Sequence, residues 1–60
     1  MYTVVYEDND FLGYHGEKRR EYDSMSPARY YAEAYGPGTK IFHGGKLYYV
    51  VGEDGKIHKP

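Results

Sequence analysis

One segment sets the terms for the whole chain. Met25 to Gly38, MSPARYYAEAYGPG, carries helical punctuation: Ser26 is placed to cap a helix, and Pro27 fits its first position, where a missing N–H costs nothing. Gly36 falls just past the end, and Pro37 blocks continuation. The segments on either side read as strand and turn, so a single helix must cover whatever sheet they form.

Tyr2 to Tyr6, YTVVY, is β-branched and aromatic and alternates Tyr2, Val4 and Tyr6 against Thr3 and Val5, the pattern of a strand. Glu7 to Gly16, EDNDFLGYHG, mixes turn residues with Phe11, Leu12 and Tyr14 and reads as a long hairpin connection whose apolar residues fold back on the core. Glu17 to Tyr22, EKRREY, fits a solvated second strand, antiparallel to the first, where Lys18, Arg19 and Arg20 discourage stray pairing at an edge. After the helix, TKIFH and KLYYVV flank Gly44-Gly45, a two-residue hairpin signal. GEDG is a further turn, and KIHK a short, frayed last strand. The expected order is β-β-α-β-β, with a last short strand. The class is α+β, one helix on a small, mostly antiparallel sheet, as one domain over residues 1–60.

Sixty residues bury only about 60% of their unfolded surface, and ordering them costs about 1.5 kcal/mol each. The chain contains no cysteine, so neither disulfides nor thiolate zinc sites can offset that deficit. An idealised core, a second copy or a protein partner must. Nine tyrosines and two phenylalanines make most of the apolar area amphipathic, which suits a surface that is wet at one time and buried at another. A net charge of −1 argues against a chain devoted to electrostatic binding of nucleic acid. No segment nears the ~18 apolar residues of a membrane span and no signal peptide is visible, so the expectation is a cytoplasmic protein without a membrane partner.

At 100° per residue, Ala28, Tyr31, Ala32 and Tyr35 share one side of the helix, with Tyr30 and Ala34 at its margin. Arg29 and Glu33 form an i,i+4 pair on the polar side. The apolar sector spans about 200°, twice what a helix needs to cover a sheet. Either the rings pack inward with hydroxyls at the rim, or one edge of the sector faces another molecule. In the second case Tyr31 and Tyr35, one turn apart, wall a shallow pocket for an apolar side chain.

Gly16 to Gly36, GEKRREYDSMSPARYYAEAYG, resembles the small dimeric uracil-DNA glycosylase inhibitors of the phi29-like Bacillus phages, in Gly16, Glu21-Tyr22, the aromatic at Tyr31 and Tyr35-Gly36 closing the helix, aligned without a gap. The length and the β-β-α-β order are similar too. The resemblance implies a non-enzymatic, homodimeric protein that mimics DNA by shape and occupies the glycosylase's DNA-binding cleft. Aromatics on the dimer's paired helices would box the apolar side chain that the enzyme wedges into DNA. Tyr31 and Tyr35 fall on the box positions, and Glu21 on an acidic contact position. The chain departs from the family at Ala32, where the family has an acidic residue, in its near-neutral charge, and in the added GGKLYYVVGEDGKIHKP.

Other chemistries find less support. His15, His43 and His58 lack metal-ligand spacing, so no metal or other cofactor is expected. Ser24 and Ser26 stand at a helix start, Glu7, Asp8 and Asp10 in a loop, and Glu53 and Asp54 in a turn, so no catalytic set emerges. The glycines match neither phosphate-binding fingerprint. The rival to protein binding is a single-stranded nucleic-acid platform built from Lys18, Arg19, Arg20 and Arg29 beside Tyr22, Tyr30 and Tyr31; a generic protein–protein interaction module is the third reading. The expected partner-binding residues are Tyr31 and Tyr35 as anchors, with Glu21, Tyr22 and Glu33 as polar flanks.

Overall fold

The structure, a computed structural model, describes residues 1–9 and 15–60. Five strands and one helix follow in the order β1 (Tyr2–Asn9), β2 (His15–Tyr22), α1 (Met25–Tyr35), β3 (Lys40–His43), β4 (Lys46–Val51) and β5 (Ile57–His58). They form a single antiparallel sheet, β2-β1-β3-β4-β5, beneath the helix. The class is α+β. Because β2 and β3 both run antiparallel to β1, they are parallel to each other, and α1 carries the chain over β1 from one to the other. Among the described residues no helix is long and apolar enough to cross a membrane.

Register decides which side chains meet the helix, since directly opposed residues share a face. Val4 pairs with Arg20 on one side and Ile41 on the other, and Tyr2 pairs with Tyr22 and His43. The core between helix and sheet is Val4, Ile41 and Val51 beneath Ala28 and Ala32. Alanine at those two helical positions lets the helix approach the sheet closely. Among the described residues, three core side chains are larger than alanine, each worth about 1.5–3 kcal/mol when buried. Tyr2, Tyr6, Tyr22, Met25, Tyr49 and Ile57 pack around them, so partly buried rings carry much of the remaining apolar contact.

Several boundaries move relative to the sequence expectation. Glu7 to Asn9 are strand rather than loop: Glu7 pairs with Glu17, Asp8 with Gly16 and Asn9 with His15. Pairing with β3 stops at Val5–Lys40, so this end of β1 is a two-stranded ribbon held by ladder bonds, and its polar side chains carry no strand signal. The expected return of Phe11, Leu12 and Tyr14 to the core lies outside the described residues. The helix begins at Met25, with Ser24 rather than Ser26 at its cap position and no side-chain cap bond. Pro27 is therefore its third residue, still within the first turn, where backbone N–H groups have no helical acceptor. Gly36 ends it as expected, at φ 100, with its N–H donated to the Ala32 carbonyl. Gly44 and Gly45, at φ 60 and 79, make the tight β3–β4 turn. A bulge between Ile41 and Phe42 then leaves Tyr48 as an extra residue on β4.

Candidate functional site

Ala28 and Ala32 face the sheet, and the helical period then assigns the two flanks. Tyr31 and Tyr35 lie on the β2 side, each laid on a sheet tyrosine. Tyr35 stacks on Tyr6 with centroids 3.7 Å apart and planes 7° from parallel. Tyr31 stacks on Tyr22 at 5.4 Å and 9°. Tyr30 meets Tyr31 edge-on at 5.2 Å and 88°. The result is a row of rings along one helix edge that is fixed from below yet open to water: Tyr31 is 43% exposed, Tyr35 38% and Tyr30 69%.

The row has a polar backing. Arg20, on the helix side of β2, sets its guanidinium against the Tyr6 hydroxyl and holds that phenol below its usual value. Tyr6 in turn raises the arginine further. Desolvation pushes the Tyr35 phenol up, and the neighbouring Tyr22 and Tyr6 phenols add to the shift. Tyr35 is thus a neutral phenol between two others. Beside Tyr6 and Tyr35, a hollow of ≈ 290 Å³ opens against Pro37, Gly38, Thr39 and Lys40. That is at the lower end of small-ligand pockets and ample for a side chain.

Of the five residues expected at the site, the structure brings Tyr22, Tyr31 and Tyr35 together and separates the two acids from them. Glu21 opposes Thr3, so strand alternation sends it to the opposite face of the sheet from Tyr22. Glu33 stands two residues from both tyrosines, across the helix. There its carboxylate accepts the Ile57 N–H at 3.2 Å and pairs with Arg29 at 3.8 Å, holding β5 against α1. In their place the fold supplies Tyr6 and Arg20. Arg20, two residues before Tyr22, shares its face by alternation; Tyr6 could be placed only once the β1–β2 register was known.

The basic run divides in the same way. Lys18 and Arg20 lie on the helix side, opposite Tyr6 and Val4, while Arg19 lies on the far face opposite Val5. A second aromatic group occupies the other end of the sheet: His43 stacks on Tyr2 at 4.2 Å, and Tyr48 meets the imidazole edge-on at 5.2 Å. His43 donates from Nδ1 to the Met1 carbonyl at 2.9 Å, and His58 Nε2 sits 3.0 Å from both Asp54 carboxylate oxygens. Among the described residues no three His, Asp or Glu side chains converge as metal ligands. The chain matches no protein-family model, no curated protein and no solved structure.

Proposed function

We propose that this protein is a non-enzymatic inhibitor that binds a DNA-handling enzyme and grips one of its apolar side chains along the edge formed by Tyr31 and Tyr35. The observation that carries the reading is that both rings are stacked from beneath by Tyr22 and Tyr6 yet remain substantially exposed. Rings already ordered in the free protein lose little entropy when a partner dries them, the condition for a binding hot spot. The resemblance of Gly16–Gly36 to the phage inhibitors supplies the target, uracil-DNA glycosylase, a homodimeric inhibitor and a place of action, the bacterial cytoplasm.

Uracil excision by the purified glycosylase is the test. Added in excess, the protein should abolish excision, and Tyr35→Ala should weaken binding by about 2 kcal/mol or more. Undiminished excision removes the target. Binding unchanged in folded Tyr31→Ala and Tyr35→Ala variants removes the tyrosine edge.

A second reading has its own support. Lys18 and Arg20 share the helix-side face with Tyr6 and Tyr22, which suits a single strand whose phosphates meet cations and whose bases stack on rings. Salt separates the two. Nucleic-acid binding falls steeply between low and physiological ionic strength, whereas apolar capture changes little.

A further inference from the structure

Among the described residues Arg20 is a cation without an anionic partner. The ion pairs join Arg19 to Glu17, Arg29 to Glu33 and His58 to Asp54, and none involves Arg20 or Lys18. Strand alternation puts both on the helix side of β2 with Tyr22. Arg20 opposes Val4, and Tyr6 lies diagonally across from it, opposite Lys18. Along the strands Arg20 therefore falls between the two stacked pairs, Tyr22 with Tyr31 and Tyr6 with Tyr35. Its guanidinium rests against the Tyr6 hydroxyl, and the Tyr35 and Tyr22 phenols are the next groups that act on it. The acids are elsewhere. Glu7, Glu17 and Glu21 project from the far face of the sheet, and Glu33 is engaged with Ile57 and Arg29. Asp8 is the carboxylate of β1 and β2 that shares the helix side. It opposes Gly16, diagonal to Lys18, so the lysine stands between it and Arg20 and offsets its charge. The guanidinium is left with five N–H donors beside a phenol oxygen.

We propose that Arg20 and the phenols of Tyr6, Tyr22 and Tyr35 form a binding site for a doubly charged phosphate group, free or at the end of a nucleotide. Two phosphate oxygens take the planar fork of the guanidinium, and a third accepts from a phenol hydroxyl, which rotates to donate. A carboxylate would use the fork alone; the hydroxyls beside it select an anion with a third oxygen. The contact with Tyr6 already orders the arginine, so little side-chain freedom is lost on binding. A nucleotide has, in addition, a base to lay against Tyr30 or Tyr31, the exposed rings next to Tyr22.

This site is independent of what the exposed edge of Tyr31 and Tyr35 grips, and its test uses no enzyme, so its failure would leave the inhibitor reading standing. Heteronuclear NMR on the full chain takes two probes, inorganic phosphate and adenosine 5′-monophosphate. Both are added at about pH 7.5, where a phosphate monoester is largely the dianion, with ionic strength held constant by chloride. Inorganic phosphate should shift the Arg20 Nε–H and the Tyr6 and Tyr35 ring resonances along a saturating curve, with Kd below ~10 mM. The Arg19 Nε–H, on the far face, should stay where it was. Arg20→Gln, folded by circular dichroism, should weaken binding at least ~10-fold, and Arg20→Lys, which keeps the charge and loses the fork, at least ~3-fold. Tighter binding of adenosine 5′-monophosphate than of phosphate assigns the site to a nucleotide; binding no tighter assigns it to the free anion. Shifts that rise without saturating, equal shifts at Arg19 and Arg20, or a Kd unchanged in Arg20→Gln would each overturn the proposal.

Discussion

Tyr35 concentrates the chemistry of the helix edge in one side chain. Its ring lies flat on Tyr6, an arrangement worth about 0.5–1.5 kcal/mol beyond area burial. Its phenol is held neutral by desolvation and by the phenols around it. The sign of the resulting pH dependence follows. An acid whose folded-state value is raised stabilises the fold fully below its unfolded value, here 10.0, and that contribution is lost as pH climbs from there toward the folded value. Stability measured by urea unfolding should therefore fall above pH 10. Tyr35→Phe, which keeps the ring and removes the ionisable group, should flatten the fall. A wild-type decline that persists unchanged in the phenylalanine variant would show that another group sets it. The i,i+4 spacing of Tyr31 and Tyr35 was plain in the sequence because the helical period is fixed. Arg20 shares the Tyr22 face by strand alternation, whereas Tyr6 joins the row only through cross-strand register and leaves no such mark in the sequence.

The helix is fixed more firmly at its end than at its start. Gly36 takes φ 100 and donates its N–H to Ala32, so any side chain there meets the left-handed penalty even though the space around it is open. Gly36→Ala should cost about 1 kcal/mol in denaturant unfolding, whereas Ser24→Ala, which breaks no cap bond, should cost close to nothing. A larger loss at Ser24 than at Gly36 would reverse that ranking. The same contrast explains what the sequence could disclose about the elements. Glycine at positive φ and proline without its N–H leave a chemical mark, so Gly44-Gly45 and the Gly36-Pro37 stop were read correctly. Glu7 to Asn9 are strand only because Glu17, Gly16 and His15 lie opposite them, and the bulge that adds Tyr48 to β4 is set by pairing with β3. Such features belong to tertiary context, which outweighs the weak β-propensity of single residues.

At the scale of the whole molecule, the described residues place a core of five buried apolar side chains between one helix and one sheet face, and leave a row of tyrosine rings exposed along one helix edge. Each tyrosine edge is complete within one chain, since Tyr6, Tyr22, Tyr31 and Tyr35 all come from the same subunit. That completeness makes a prediction about counting. If each edge grips an enzyme by itself, a saturated complex with uracil-DNA glycosylase should hold one enzyme per inhibitor chain, however many chains associate. If copies join through their helices, the rings combine into one shared site, and the complex should hold one enzyme per two chains. Multi-angle light scattering on the saturated complex distinguishes the two, and the stacked pairs within a single chain favour the first. One enzyme per two chains would instead mean that the edges must pair.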